Sequence, residues 1–265
     1  MKINRVKLVY FSPTGSTKRI MEEIAKGIEA PVEQVDLTRP EAKVRDFEDF
    51  GDELAIIGSP VYAGRVPVEA VRRLRRLKAH NTPAVTLVVY GNRAYEDALL
   101  ELRDLSAEIG FRPVAAAAFI GEHSYSTPAA PIASGRPDRD DLEKAGAFGS
   151  MVVGKLRHMR PSGENVPVGV PGNFPYKELR MLSEISPLTR EALCERCGDC
   201  VTVCPTAAIT LKKEVTTDNT VCIRCCACIR ACPAGARVMA DSRILQAAAQ
   251  LSEKCRQRKE PEMFL

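Results

Sequence analysis

Short apolar runs alternate with amphipathic segments over the first 158 residues of the chain. The apolar runs have the length of strands and cover residues 5–11, 32–37, 53–58, 84–90 and 112–120. Between and after them, apolar residues recur three or four positions apart, which predicts helices over residues 16–29, 67–78, 95–109 and 138–158. Buried strands that alternate with helices form βαβ crossovers. The pattern therefore predicts an α/β fold, a doubly wound domain with a five-stranded parallel sheet and five helices, of which the four above are located by their spacing.

The pattern changes after residue 158. Residues 159–190 contain five prolines and three glycines, which interrupt regular structure and predict an extended connector. Residues 191–240 contain most of the cysteines and are predicted to form a second, small α+β domain. Residues 241–265 are predicted to form a C-terminal helix and a tail. We therefore expect a first domain over residues 1–158 and a second over 191–240, joined by the connector.

The composition narrows the classes of protein to which the chain belongs. No stretch of about 18 apolar residues occurs, so no membrane span is predicted. The N-terminus lacks the apolar core and small-residue cleavage site of a secretory signal, so we expect a cytoplasmic protein. The net charge of +4 is mild and nothing indicates nucleic-acid binding. The densest basic run, residues 72–78, is predicted to be the solvated face of a helix, with a docking patch for an acidic partner as the alternative.

The cysteines are confined to the last third of the chain. There are 10 of them, and none precedes Cys194. A secreted disulfide scaffold would not normally follow a cysteine-free α/β domain. The distribution therefore indicates metal ligands in a reducing compartment.

Eight of the cysteines form an internal repeat. The run C-x-x-C-x-x-C-x-x-x-C-P begins at Cys194 and recurs at Cys222, 28 residues later. In proteins with two cubane clusters, three cysteines of such a run bind one [4Fe–4S] cluster and the fourth binds the other. We therefore predict that cluster I is bound by Cys194, Cys197, Cys200 and Cys232, and cluster II by Cys222, Cys225, Cys228 and Cys204. The alternative is zinc, but zinc sites usually pair two separate C-x-x-C knuckles, which this spacing fits poorly.

The cysteine module, residues 191–240, resembles the bacterial two-[4Fe–4S] ferredoxin family over about 45 residues. The segments that begin at Cys204 and Cys232 match the motif of that family closely. Two cysteines are surplus: Cys226 is predicted to be a buried free thiol, and Cys255 a packing or surface thiol in the last helix. Residues 191–237 carry five acids and six bases, whereas such ferredoxins are often acidic. Because nearby cations favour the reduced cluster, we expect somewhat raised cluster potentials.

Three loops at the carboxyl ends of predicted strands carry candidate ligand-binding residues. Residues 12–17, Ser-Pro-Thr-Gly-Ser-Thr, open a helix, and their hydroxyl and N–H groups make an anion site. The turn matches neither a Walker loop nor the dinucleotide fingerprint, and taken alone it also fits a simple helix cap. Residues 58–67 and 90–95 follow the third and fourth strands. Ligands of doubly wound sheets bind at this edge.

With these loops, residues 3–158 resemble the flavodoxin family, whose members bind FMN noncovalently. The resemblance implies that the first loop holds the FMN phosphate and that the other two enclose the isoalloxazine. The residues that match the FMN-binding loops of the family are Ser12, Thr14, Gly15, Ser16, Thr17, Ser59, Pro60, Tyr62, Ala63, Gly64, Gly91, Asn92, Arg93 and Tyr95. Tyr62 is the candidate stacking aromatic, the alternative being an ordinary exposed loop tyrosine. His123, after the fifth strand, either approaches the flavin or a docked partner, or is a surface histidine.

The chain as a whole resembles a prokaryotic family of flavodoxin–ferredoxin fusion proteins. The resemblance implies two [4Fe–4S] clusters and one FMN. Because each cluster passes one electron at a time and FMN accepts one or two, we predict a relay of low-potential electrons between them and on to a redox partner protein. The alternative is an FMN-dependent reductase that uses the clusters as an internal electron supply, although no pyridine-nucleotide site stands out. A redox sensor is a third hypothesis, which no DNA-binding motif supports. The sequence does not identify the partner protein, and it leaves a homodimer open.

Overall fold

Strands and helices alternate along the first part of the chain in a computed structural model, which describes residues 3–159, 168–179 and 184–265. The strands are β1 Val6–Tyr10, β2 Val32–Asp36, β3 Leu54–Pro60, β4 Thr82–Tyr90 and β5 Phe111–Ile120. The helices are α1 Ser16–Ile28, α2 Val68–Leu74, α3 Ala98–Ile109 and α4 Arg139–His158. Each helix lies within a segment that the apolar spacing predicts. None of the helices in the described residues has the length and hydropathy needed to cross a membrane.

The five strands form one parallel sheet in the order β2-β1-β3-β4-β5. The predicted doubly wound sheet is thereby confirmed, but two details differ. A sixth strand, β10 Glu262–Phe264, pairs antiparallel with Ala116–Ala118 of β5. The crossover from β2 to β3 contains a 3₁₀ helix, Pro40–Lys43, in place of a fifth α-helix. The sixth strand covers an edge that five strands would leave unpaired, and it is too short for its periodicity to reveal it.

Apolar side chains cover both faces of the sheet, because successive residues of a strand point to opposite sides. Leu8 and Ile56 pack on the face covered by α1 and α4, and Val9 and Ile57 on the face covered by α2 and α3. All four side chains are fully buried. With both faces covered, the loops at the ends of the strands are the part of the sheet that is free to form a site.

The cysteine module is a small α+β unit whose internal repeat in sequence is also a repeat in structure. Two one-turn helices lie at equivalent positions of the two runs, and each contains the third cysteine of its run, Cys200 or Cys228. These cysteines pack with Ile209 and Val215 in the core of the module. β6 Leu188–Thr189, at the end of the connector, pairs with β9 Arg237–Val238 of the module. The other elements of the module are a 3₁₀ helix at Glu191–Leu193, α5 Asp199–Thr202, β7 Ile209–Leu211, β8 Val215–Thr217 and α6 Ala227–Arg230.

Both ends of the module are tied to the α/β domain. Of the predicted connector, residues 160–167 and 180–183 lie outside the described residues. Residues 168–179 lie against the start of α3, where the buried carboxylate of Asp97 accepts hydrogen bonds from the N–H groups of Asn173 (2.8 Å) and Lys177 (2.7 Å). After the module, helix α7 Ser242–Lys254 leads to β10, which returns to the large sheet.

Arg73 of α2 is a buried link between the two domains. The basic run at residues 72–78 was expected to be solvated, yet Arg73 is only 1% exposed. Its guanidinium pairs with Glu69 (2.8 Å) and donates to the carbonyl oxygens of residues 37–39. It also donates to the carbonyl oxygen of Pro205 in the cysteine module (2.5 Å). The helix predicted for this run is confirmed, but only the packing of the cysteine module against α2 reveals that Arg73 is buried.

Helices α1 and α4 meet at a close contact between glycines. A Cβ placed on Gly149 would lie 2.1 Å from the carbonyl oxygen of Ile24. A Cβ placed on Gly27 would lie 1.9 Å from the carbonyl oxygen of Gly146. A backbone carbonyl cannot move aside as a flexible side chain can, so this contact determines how closely α1 lies against α4. In contrast, no described atom lies within 4 Å of the corresponding point on Gly154, further along α4.

We expect Gly149→Ala to lower the free energy of unfolding by ~1–3 kcal/mol, because the added methyl group overpacks a rigid contact. Gly154→Ala is the matched control on the same helix, and it should raise the free energy of unfolding by up to ~1 kcal/mol because alanine favours a helix. Urea unfolding followed by circular dichroism measures both changes. Equal stabilities of the two variants would contradict a tight contact at Gly149.

Candidate functional site

A pocket lies at the carboxyl ends of β1, β3, β4 and β5, and we call it the loop pocket. Its empty space is about 800 Å³, part of which is open to solvent. Loops of the α/β domain form most of its wall, and Ile223 and Arg224 of the cysteine module complete it. The pocket therefore belongs to both domains. Its lining residues in the loops are Thr14, Ser16, Thr17, Pro60, Val61, Tyr62, Ala63, Gly91, Gly121, Glu122, His123, Ser124 and Tyr125.

The loop after β1 brings hydroxyl groups to the start of helix α1. Gly15 adopts a φ of 85°, a left-handed conformation that glycine accommodates without strain. Thr14, Ser16 and Thr17 line the pocket there, and the first turn of α1 contains no acidic residue. Since the N-terminus of a helix carries partial positive charge and free N–H groups, this end of the pocket suits an anion.

The structure divides the fourteen predicted flavin-loop residues into two groups. Those that line the pocket are Thr14, Ser16, Thr17, Pro60, Tyr62, Ala63 and Gly91. Those with other contacts or backbone roles are Ser12, Gly15, Ser59, Gly64, Asn92, Arg93 and Tyr95. Ser12, for example, accepts a hydrogen bond from the N–H of Lys18 (3.1 Å), so it stabilises the turn from within.

Asn92 and Tyr95 hold the C-terminal tail rather than the pocket. The buried Asn92 amide donates to the carbonyl oxygens of Cys255 and Gln257, both at 2.8 Å, and accepts from the N–H of Lys259 (3.2 Å). The Tyr95 hydroxyl donates to Glu262 (2.8 Å). The partners of both residues lie about 165 positions further along the chain. No local pattern in the sequence could indicate contacts over that separation.

Two aromatic residues after β5 line the pocket, and the sequence predicts only one of them, His123, as a candidate. The ring centroids of His123 and Tyr125 lie 5.2 Å apart in an edge-to-face arrangement. Nδ1 of His123 accepts a hydrogen bond from the N–H of Tyr125 (3.1 Å), so a proton on the neutral ring resides on Nε2. Gly91 makes room for the imidazole, because a Cβ there would lie 2.3 Å from Cδ2 of His123. Tyr125 was not predicted, although an aromatic residue this close to a strand end is the available signal.

The imidazole of His123 is held neutral by its surroundings. Burial is the main cause that lowers the pKa of His123 to about 4, and the positive charges of Arg93 and Arg230 act in the same direction. Arg230 comes from the cysteine module, where its guanidinium also donates to the backbone carbonyl of His123 (3.2 Å). The protonation state of His123 therefore depends on residues of both domains.

The cysteine module contains two small cavities. Cavity I has an empty space of about 340 Å³ and is lined by Cys194, Cys197, Cys200 and Cys232. Cavity II has an empty space of about 310 Å³ and is lined by Cys204, Cys222, Cys225, Cys226 and Cys228. Each cavity brings together the first three cysteines of one run and the last cysteine of the other. Within the described residues, no three His, Cys, Asp or Glu side chains converge tightly enough for a single metal ion.

The surroundings of the sulfur atoms favour bound thiolates over free ones. Burial is the largest of the effects that raise the pKa values of Cys222, Cys225 and Cys228 above the usual value. Backbone N–H groups nevertheless donate to Cys204 Sγ (3.3 Å) and to Cys232 Sγ (3.2 Å). Because the thiolate is the form that binds metal, these donors suit a site in which a metal group compensates the buried negative charge.

Cavity II lies next to the loop pocket. Ile223 lines both spaces. The pKa of Tyr62 is raised well above its usual value, first by burial and then by the nearby Cys225 and Cys226. Residues of cavity I do not contribute to the wall of the loop pocket in the described part of the chain. The two cavities therefore differ in their distance from the loop pocket.

Two family models match the chain. Residues 7–127 match a flavodoxin domain, and residues 193–236 match a 4Fe-4S dicluster domain. Among solved structures, a flavodoxin from the domain Archaea is 18% identical with a TM-score of 0.37, over 58% of this chain and 99% of the other. Oxidised flavodoxin 1 from Bacillus cereus is 16% identical with a TM-score of 0.39, over 59% and 100% of the two chains. No curated protein shows a significant match to the sequence.

We expect His123 to remain neutral as the pH falls from about 7.5 to about 5, since its pKa is lowered to about 4. The pKa in the unfolded chain is higher, so the unfolded chain binds the proton first and the contribution of His123 to stability decreases as the pH falls from about 6.5 towards 4. A titration of ¹³C-labelled histidines by NMR measures the pKa, and the signal that disappears in His123→Gln identifies the residue. A midpoint near the ordinary value would contradict the proposed environment.

Proposed function

We propose a specific role in electron transfer for this chain. It joins an N-terminal flavodoxin domain to a C-terminal 4Fe-4S dicluster domain, and it is therefore an electron-transfer protein of the flavin and iron–sulfur class. The role is a relay of low-potential electrons between two [4Fe–4S] clusters and FMN and on to a protein partner. The observation that carries the proposal is the position of Ile223, whose side chain lines both the loop pocket and cavity II. Two redox sites that share one wall are suited to exchanging electrons directly.

The donor sets of the two cavities support iron–sulfur clusters. Cubane clusters are bound by four cysteine thiolates, and each cavity offers such a set within largely apolar walls. Cys194, Cys197, Cys200 and Cys232 would hold cluster I, and Cys204, Cys222, Cys225 and Cys228 would hold cluster II. Cys226 also touches cavity II, but its thiol donates to the carbonyl oxygen of Arg224 (3.5 Å). We therefore assign Cys226 no ligand role.

The chemistry of the loop pocket supports FMN. Thr14, Ser16 and Thr17 would hold the phosphate at the N-terminus of α1, where anions are favoured. Tyr62 and Tyr125 also line the pocket, and their aromatic faces suit a flat ring system. Asn92 and Tyr95, which the family resemblance also assigned to the flavin loops, hold the C-terminal tail instead. FMN, when bound, would accept one or two electrons and each cluster one, and this redox chemistry belongs to the cofactors.

The arrangement of the sites supports an order of electron exchange. Cavity II adjoins the loop pocket through Ile223. Cys197 of cavity I is exposed to solvent, whereas Cys225 and Cys228 of cavity II are buried. A protein partner would therefore reach cluster I more readily than cluster II. Cluster I is the proposed point of exchange with a partner, and cluster II the link to the flavin.

The side-chain contacts between the two domains support a relay within one chain. Arg73 donates to the carbonyl oxygen of Pro205, which directly follows Cys204 of cavity II. On the other side of the interface, Arg230 pairs with Glu122, a residue of the loop pocket (3.4 Å). Covalent linkage keeps the carriers at high effective concentration, and these contacts keep them in one orientation.

We expect protein purified without oxygen to contain about eight iron atoms, as two four-iron clusters require, together with one FMN per chain. Cys204→Ser should damage cluster II and leave cluster I in place, because Cys204 lines cavity II although it belongs to the first run. EPR spectra of the reduced protein and iron analysis measure both effects. Cys226→Ser is the control, and it should keep both clusters. Bound zinc in place of iron, or loss of cluster I in Cys204→Ser, would disprove these assignments.

We also expect the flavin of Cys204→Ser to be reduced at least about tenfold more slowly by a low-potential protein donor, because the site next to the loop pocket is lost. Stopped-flow absorbance of the flavin measures the rate, and Cys226→Ser should react at the rate of the unaltered protein. An unchanged rate in Cys204→Ser would show that electrons reach the flavin without cluster II. Turnover of a small molecule in the absence of a second protein would favour the reductase hypothesis over the relay.

A further inference from the structure

Arg237 is a buried cation that reaches both cavities of the cysteine module. It is the first residue of β9, it pairs with Thr189 across the strands, and it is only 2% exposed. Its side chain lines cavity I together with the four cysteines there. Its Nη2 also lies 3.8 Å from Sγ of Cys228, which lines cavity II. One guanidinium therefore touches the surroundings of both predicted clusters.

Neutral acceptors satisfy only some of the N–H donors of the Arg237 guanidinium. Nη1 donates to the hydroxyl of Thr189 (2.7 Å), and Nη2 donates to the hydroxyl of Thr217 (2.8 Å) and the carbonyl oxygen of Pro187 (2.9 Å). Nε is buried and has no hydrogen-bond partner in the described part of the chain. A buried donor without an acceptor is unfavourable, and Arg237 lines cavity I, so we expect a group held in that cavity to supply the acceptor.

Arg237 also lacks an ion pair, because no carboxylate in the described part of the chain lies within 4.0 Å of its guanidinium. Arg73, which is also deeply buried but lies at the contact between the two domains, differs in this respect because Glu69 neutralises it. Buried charges are normally paired, since burial of an isolated charge is costly. The contact of Arg237 with a predicted cluster ligand is the 3.8 Å approach of its Nη2 to Sγ of Cys228.

We propose that Arg237 is the shared counter-charge of the two clusters and raises the reduction potential of both. Its Nη2 would act on cluster II through Cys228, and its Nε would donate to a sulfur of cluster I. This proposal rests on the cluster assignments made above, and it adds a positioning residue that is not a ligand. Each cluster takes up one electron from a low-potential protein donor, and Arg237 itself keeps its proton and its charge throughout.

The direction of the effect follows from electrostatics. A cluster bound by thiolates is negatively charged and becomes more negative on reduction. A fixed cation therefore stabilises the reduced form more than the oxidised form, and hydrogen bonds to sulfur act in the same direction. Because Arg237 is buried, solvent and salt screen its charge far less than they screen the exposed lysines of the module.

The test is a redox titration of the full-length, cluster-loaded protein followed by EPR, with Arg237→Gln as the main variant. Both cluster potentials should fall by an amount that corresponds to at least a tenfold change in the equilibrium constant of reduction, or about 59 mV for one electron. Lys213→Gln removes the same charge from an exposed position in the β7–β8 hairpin and should leave both potentials unchanged. Thr189→Val removes one hydrogen bond of Arg237 but keeps its charge, so it should shift the potentials much less than Arg237→Gln.

The outcomes separate this proposal from the one on which it rests. If the unaltered protein binds no iron–sulfur clusters, the proposed function fails. If the clusters assemble in Arg237→Gln with unchanged potentials, or if Thr189→Val shifts them equally, the role of Arg237 fails and the relay stands. If Arg237→Gln does not assemble clusters, Arg237→Lys carries the test. It keeps a charge but loses the donor at Nε, so the potential of cluster I should fall, and an unchanged potential there overturns the proposal.

Discussion

The buried guanidinium of Arg73 is the contact on which the relation of the two domains depends. It is neutralised by Glu69 and surrounded by carbonyl oxygens of the loop after β2, so its position in the α/β domain is well determined. Its remaining donor binds the carbonyl oxygen of Pro205, directly after a cysteine of cavity II. Because a buried arginine that lost this acceptor would keep an unsatisfied N–H donor, the contact resists separation of the domains. Cavity II is thereby held beside the loop pocket.

The chain reinforces this arrangement by returning to the first domain after the cysteine module. β10 adds to the edge of the sheet at β5, and Asn92 binds the backbone of the segment that leads to it. On the other side of the module, Asp97 holds the described part of the connector. The module is thus anchored at both ends and along its interface. Such an arrangement suits electron transfer, which depends on a constant separation between carriers, better than a flexible tether would.

Arg73 at the domain contact and Arg237 inside the cysteine module are both deeply buried, but they have different partners and different proposed roles. Arg73 has a carboxylate and carbonyl partners, so its charge is compensated within the protein, and its role is structural. Arg237 has hydroxyl and carbonyl partners, a sulfur contact and an unpartnered Nε, so part of its charge remains available to the groups that the cysteines hold. The mildly basic composition of the module predicts somewhat raised potentials, and our proposal assigns this effect to one buried position rather than to the exposed surface.

The sequence by itself determined the features that depend on local spacing. Apolar periodicity predicted the five parallel strands and the helices of the first domain, because burial on one helix face or on both sheet faces leaves a repeating pattern. The cysteine runs indicated a repeat, which the structure shows as two equivalent helical turns. The tertiary structure alone decided which side chains meet over long separations. It buries Arg73 at the domain contact and places Asn92 and Tyr95 against the C-terminal tail. It also adds β10 to the sheet and places Ile223 between the loop pocket and cavity II. These contacts join residues more than 100 positions apart, so no short-range pattern records them, and they follow only from how the two domains pack.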